Sequence, residues 1–184
     1  HLGRTLLFWG IGIAAFVRAA PGFVARRLTR GQLDGLLIPF EADEDIKRLA
    51  AEVTRGAHSD YQKLRALRHY FSQQGYMERY DRDGTRTARQ VMASGKGNCL
   101  SYANLFVALA REAGLNASYQ WLEVRPQWTR MGERLAVRLH VNVMVDLAAR
   151  EHYMIDIDPL PSREIAGSRR ISDRDAQALY HNNI

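Results

Sequence analysis

The chain has 184 residues, 46% hydrophobic and 25% charged, enough apolar matter for one buried core and too much for wholesale disorder. Its single cysteine, Cys99, excludes an internal disulfide framework and a zinc site built on paired cysteines. Much of the net charge of +6 sits in residues 1–40, where five arginines face the single acid Asp34, so the main body carries no nucleic-acid footprint.

In that N-terminal extension, Thr5 to Val17 is an uncharged run of thirteen residues between Arg4 and Arg18. It is short of the ~20 residues that span a bilayer and has the length of a signal-peptide apolar region. Three readings stay open: an export-signal remnant ending near Ala19-Ala20-Pro21, a truncated membrane anchor, or a helix packed on the domain. The first two bring residues 1–30 to a membrane surface and favour the cell envelope or periplasm over the cytoplasm. The expected organisation is an extension over 1–40, one domain over 41–170, and the start of a helical segment over 171–184.

From residue 41 onward the periodicity is regular. Asp43 to Arg55 carries Ile46, Leu49, Ala50 and Val53 at helical spacing, with acids in its first turn. Ser59 is placed to cap a second helix through Leu64, Leu67 and Phe71, ending near Gly75. Residues 76–86 are polar and rich in turn formers, and a short helix over Ala88 to Ala93 runs into a glycine-bearing loop, Ser94 to Asn98. That loop lacks the spacing of a phosphate-binding loop. Residues 99–113 give the clearest helix, with an apolar face so wide that the helix must be central. Strand patterns follow over Ala117 to Val124, Leu135 to Leu147 and Tyr153 to Asp158, the last two close enough to form a hairpin. Helices first and an antiparallel sheet second predict an α+β domain.

Cys99 stands at the first position of the central helix, where unpaired N–H groups and the helix dipole favour a thiolate. His140 falls on the face of its strand opposite Val141, Val143 and Val145. Asp156 and Asp158 alternate with Ile155 and Ile157 on the neighbouring strand. An imidazole and a carboxylate on one face of paired strands can hydrogen-bond across the ladder. Such a pair fixes the imidazole tautomer and leaves its other nitrogen to take a proton from a thiol. Both aspartates point the same way in this reading, so strand geometry leaves the choice between them open.

Gly97-Asn98-Cys99-Leu100-Ser101 and the helix after it resemble the nucleophile helix of the bacterial transglutaminase-like superfamily. Leu139-His140-Val141-Asn142-Val143 and Tyr153-Met154-Ile155-Asp156 resemble its histidine and aspartate strands. The resemblance covers roughly residues 60–160 and implies a papain-like core with a Cys-His-Asp triad of Cys99, His140 and Asp156. Asp158, which precedes Pro159, is the alternative third member. The segment from Ile171 to Asn183 is similar to one that leads into tetratricopeptide repeats in the subgroup this chain looks closest to.

The resemblance implies cysteine-dependent acyl transfer or hydrolysis at amide bonds of a protein or peptide, through a thioester. The backbone N–H of Cys99 is one oxyanion donor, and a second comes from an upstream side chain that sequence does not identify. Trp128, between two strands, is a candidate substrate contact. This chemistry calls for no cofactor and no metal. Two alternatives remain: a non-catalytic protein-binding module on the same fold, and a metal-dependent hydrolase using His140, His152 and the two aspartates, whose spacing fits no short metal motif. Oligomeric state is open.

Overall fold

The structure, a computed structural model, describes residues 35–82, 84–125, 129–131, 134–136 and 140–183. The N-terminal run Thr5–Val17 and Trp128 lie outside the described residues. Four helices come first, each with a side-chain cap. Helix α1 (Glu44–Val53) starts at Asp43, whose carboxylate accepts from the Ile46 N–H at 2.9 Å, and α2 (Asp60–Gln73) starts at Ser59. Helix α3 (Ala88–Ser94) opens with a reciprocal Thr87–Gln90 capping box and stops at Gly95, whose φ of 67° suits a residue without Cβ. Helix α4 (Cys99–Glu112) is capped by Asn98, and every residue from Leu100 to Ala110 is buried. A helix apolar on nearly all sides is stable only when surrounded.

The sheet supplies one of its neighbours. Strands β1 (Asn116–Val124), β4 (His140–Asp146), β5 (His152–Ile155) and β6 (Ile165–Ile171) form an antiparallel sheet in the order β5-β4-β1-β6. Ala117, Tyr119 and Trp121 of β1 and Val141, Val143 and Val145 of β4 join the core cluster with Leu105 and Leu109 of α4. Helix α5 (Asp173–Asn183) is the last described element; it buries Ala176, Leu179 and Tyr180, and its Asp173 takes a two-pronged ion pair from Arg111 of α4 at 2.8 Å. Among the described residues no helix is long and apolar enough to cross a membrane.

Two features depart from the sequence reading. The strand expected over Leu135–Leu147 is divided: Arg134–Ala136 (β3) pairs with Thr129–Met131 (β2) in a separate two-stranded ribbon, and only His140 onward pairs with β1. Alternation records which face is apolar, not which partner each residue pairs with. The edge strand β6, of sequence IAGSRRI, was not expected at all, because Gly167, Ser168 and two arginines hide its period.

The turn before α4 is under close steric control. A Cβ added to Gly97 would lie 2.5 Å from Cβ of Ser101, and the Gly97 carbonyl accepts from the Asp81 N–H at 2.9 Å. Gly97→Ala is therefore expected to cost about 1–3 kcal/mol, by displacement of the first turn of α4. A urea unfolding midpoint unchanged from the parent would contradict this packing.

Candidate active site

The start of α4 is held by a buried polar network. The Asn98 side chain accepts from the Ser101 N–H at 3.0 Å and donates to the Thr85 hydroxyl at 2.7 Å. The Ser101 hydroxyl accepts from the Arg86 N–H at 2.7 Å, and Asn104 donates to the Arg86 carbonyl at 3.1 Å. One turn along the helix, the Tyr102 hydroxyl lies 3.0 Å from the Tyr76 carbonyl and 3.1 Å from that of Gly95. These bonds fasten residues 76–86, a turn-rich stretch, to the helix that begins with Cys99.

That fastening brings Tyr80 to the cysteine. Tyr80 and Gly97 form a parallel bridge, and the Tyr80 hydroxyl accepts from the Cys99 backbone N–H at 3.3 Å. The same hydroxyl helps to favour the charged form of the Cys99 thiol. Burial, reinforced by the sulfur's charge, pushes the Tyr80 phenol well above its usual range, so it remains a proton donor at neutral pH.

His140 and the Val141 backbone N–H also act on the thiol, and both favour its charged form. His140 is the first residue of β4 and is 1% exposed. Its Nε2 bonds Oδ2 of Asp156 at 2.7 Å, which leaves Nδ1 for the thiol. The register explains the approach. Val143 pairs with Ile155, the last residue of β5, so the next residue along, Asp156, falls beside Asn142 and His140. Asn142, 2% exposed, donates to the same Oδ2 at 3.2 Å and fixes the carboxylate from a second direction.

Asp158 does not share this position. The strand has ended by then, and the chain turns so that the Asp158 N–H donates to Oδ1 of Asp156 at 3.1 Å. The two-residue alternation that put both aspartates on one face holds only while the backbone stays extended. Of the two candidates, Asp156 is the one that binds the imidazole. His152 is at the far end of β5, with Nδ1 bonded to Asp146 at 2.6 Å, and takes no part in this group. Among the described residues no cluster of three His, Cys, Asp or Glu side chains is placed to hold a metal ion.

The electrostatics follow from these contacts. Burial alone raises the Cys99 thiol; the His140 hydrogen bond and charge, with help from the Val141 N–H and Tyr80, outweigh it and bring the thiol below its ordinary value. Burial lowers the imidazole of His140, but hydrogen bonds to Asp156 and Cys99 outweigh that and raise it to about 9. Opposite shifts on adjacent groups favour a thiolate–imidazolium pair near neutral pH. Sequence reasoning missed Tyr80 and gave Asn142 no role. The only signal for Tyr80 was an aromatic residue inside a polar loop.

The sequence profile of the transglutaminase-like superfamily matches residues 47–156, which contain Tyr80, Cys99, His140, Asn142 and Asp156. No curated protein matches the chain in sequence. A crystal structure of a candidate protease from Parabacteroides distasonis is similar in fold, with a TM-score of 0.50 and 14% identity over 69% of this chain. This chain spans 25% of the length of that protein.

Proposed function

The chain belongs to the transglutaminase-like superfamily, and from that membership and the site geometry we propose that Cys99, His140 and Asp156 form a triad for acyl transfer from a peptide amide. The observation that carries the reading is a buried imidazole, His140, bonded through Nε2 to Oδ2 of Asp156 at 2.7 Å and holding the Cys99 thiol below its ordinary value. The thiolate attacks the amide carbonyl, the C–N bond breaks, and Nδ1–H of His140 protonates the departing amine. A thioester on Cys99 results. Water or a second amine then adds to it, giving its proton back to His140, and the thiolate is released with the acid or the new amide.

Negative charge on the carbonyl oxygen needs donors in place beforehand. The Cys99 N–H is one. Tyr80 O–H supplies the second: the incoming oxygen displaces the hydroxyl as acceptor of the Cys99 N–H and receives the phenol proton as a hydrogen bond. Tyr80→Phe is then expected to lower kcat by about 10²-fold, the effect of losing one oxyanion donor. It should slow simple alkylation of Cys99 far less, since Tyr80 is the weakest of the influences that lower the thiol. Equal losses in both assays would remove Tyr80 from the oxyanion role.

The reading is tested by incubating the protein and its Cys99→Ala variant with a peptide mixture and a tagged primary amine, then sequencing the products by mass spectrometry. New carboxyl termini or tagged amides that require Cys99 support it. Identical product lists from both proteins would leave the fold serving as a binding module.

A further inference from the structure

Beside the triad lies a second, larger space. A groove of about 300 Å³ runs between the end of α2 with its following turn, residues 68–78, and the end of β5, residues 154–157. Its floor is made by the buried Phe71, Tyr76 and Ile155, and its walls carry Met77 and Met154, which are 56% and 50% exposed. Both walls lead to the reacting centre. Two residues beyond Glu78 the first reaches Tyr80, whose hydroxyl touches Cys99. The second contains Asp156 itself, and Ile155, Asp156 and Ile157 also line the small cavity against Cys99.

We propose that this groove is a substrate subsite that receives an apolar side chain next to the scissile amide. The inference rests on the acyl-transfer reading of Cys99 and adds a substrate class to it. Exposed methionines are costly to leave in water and suit an apolar guest of varied shape, because the thioether chain is flexible and polarisable. Of the charged residues that line it, Asp156 is paired with His140, and Arg68 and Glu78 are of opposite sign, so an ionic side chain gains no net attraction. The volume accommodates a leucine, methionine or phenylalanine side chain with part of its backbone. A peptide held there runs beside β5, the edge strand of the sheet, where backbone groups are available to an extended partner.

The experiment uses two series of reactive probes on the whole chain. Chloromethyl ketones of residue X place X on the acyl side of the reacting carbon, and chloroacetyl-X-amides place it on the amine side. In each case the Cys99 thiolate displaces chloride and forms a thioether. Every rate is divided by the rate of iodoacetamide with the same protein. One series is expected to favour X = Leu, Met or Phe over Asp, Lys or Gly by about tenfold or more, the discrimination typical of an apolar pocket. In the double variant Met77→Ser/Met154→Ser that ratio should fall to about threefold or less, with folding checked by circular dichroism. Neither series discriminating in the parent, or a preference that survives in the double variant, overturns the subsite. Failure of the parent reading looks different: Cys99 would then react with iodoacetamide at pH 6 no faster than a free thiol, whatever the residue preference.

Discussion

His140→Ala is expected to slow alkylation of Cys99 at pH 6 by about tenfold or more and also to destabilise the fold by about 3 kcal/mol. The two losses have different origins. At pH 6 an ordinary thiol is under about 1% ionised, so rapid reaction there depends on the imidazolium beside the sulfur, and each pKa unit lost costs tenfold in thiolate. The stability loss comes from Asp156. Its side chain is 6% exposed and that of His140 is 2% exposed, so removing the ring strands a carboxylate away from water without its cation. Iodoacetamide kinetics read the first effect and chemical denaturation the second. A variant that loses stability but alkylates like the parent would show that His140 supports the fold without activating the thiol.

Asp156→Ala should slow alkylation at pH 6 less than His140→Ala but more than Asp158→Ala, which should change the rate by less than about twofold. Without Asp156 the imidazole keeps the influence of Cys99 but loses its strongest support, the largest of the contributions that together raise it to about 9. Nε2 of His140 and Nδ2 of Asn142 are also left without their acceptor, at about 1–3 kcal/mol for each buried group. Asp158 offers its backbone N–H to Asp156, a bond that its own side chain does not supply and that alanine retains. If Asp158→Ala proved the more damaging change, the third position of the triad would pass to Asp158.

Much of this arrangement was legible in the sequence, and the reasons differ by element. The central helix over Cys99–Glu112 was readable because burial on all sides leaves a long apolar run. His140 was readable as the polar member of an alternating strand whose valines face the core. Local pattern could not distinguish Asp156 from Asp158, because the choice depends on where β5 stops being extended. Tyr80 was hidden for a related reason. It meets Cys99 across nineteen residues of chain, through a bridge at Gly97 and hydrogen bonds from Tyr102, and nothing periodic marks such a contact. The groove is likewise a product of two segments about eighty residues apart in sequence.

The pH dependence of stability carries the same signature. Because the imidazole of His140 is raised above its unfolded value, its contribution is complete below pH ~6.5 and is lost as pH rises through about 9. The lowered thiol works in the opposite direction, contributing above the ordinary thiol pKa and losing that contribution as pH falls through its folded value. The thiolate–imidazolium pair is therefore favoured between the lowered thiol value and about 9.

The rate of Cys99 alkylation measured against pH, with a small free thiol titrated alongside, tests the ion pair most directly. The arrangement of Cys99, His140 and Asp156 requires an inflection displaced below that of the free thiol, moving back toward it in His140→Ala. A Cys99 profile that rises tenfold per pH unit between pH 6 and 8 and coincides with the free thiol would contradict the ion pair, and with it the proposed triad.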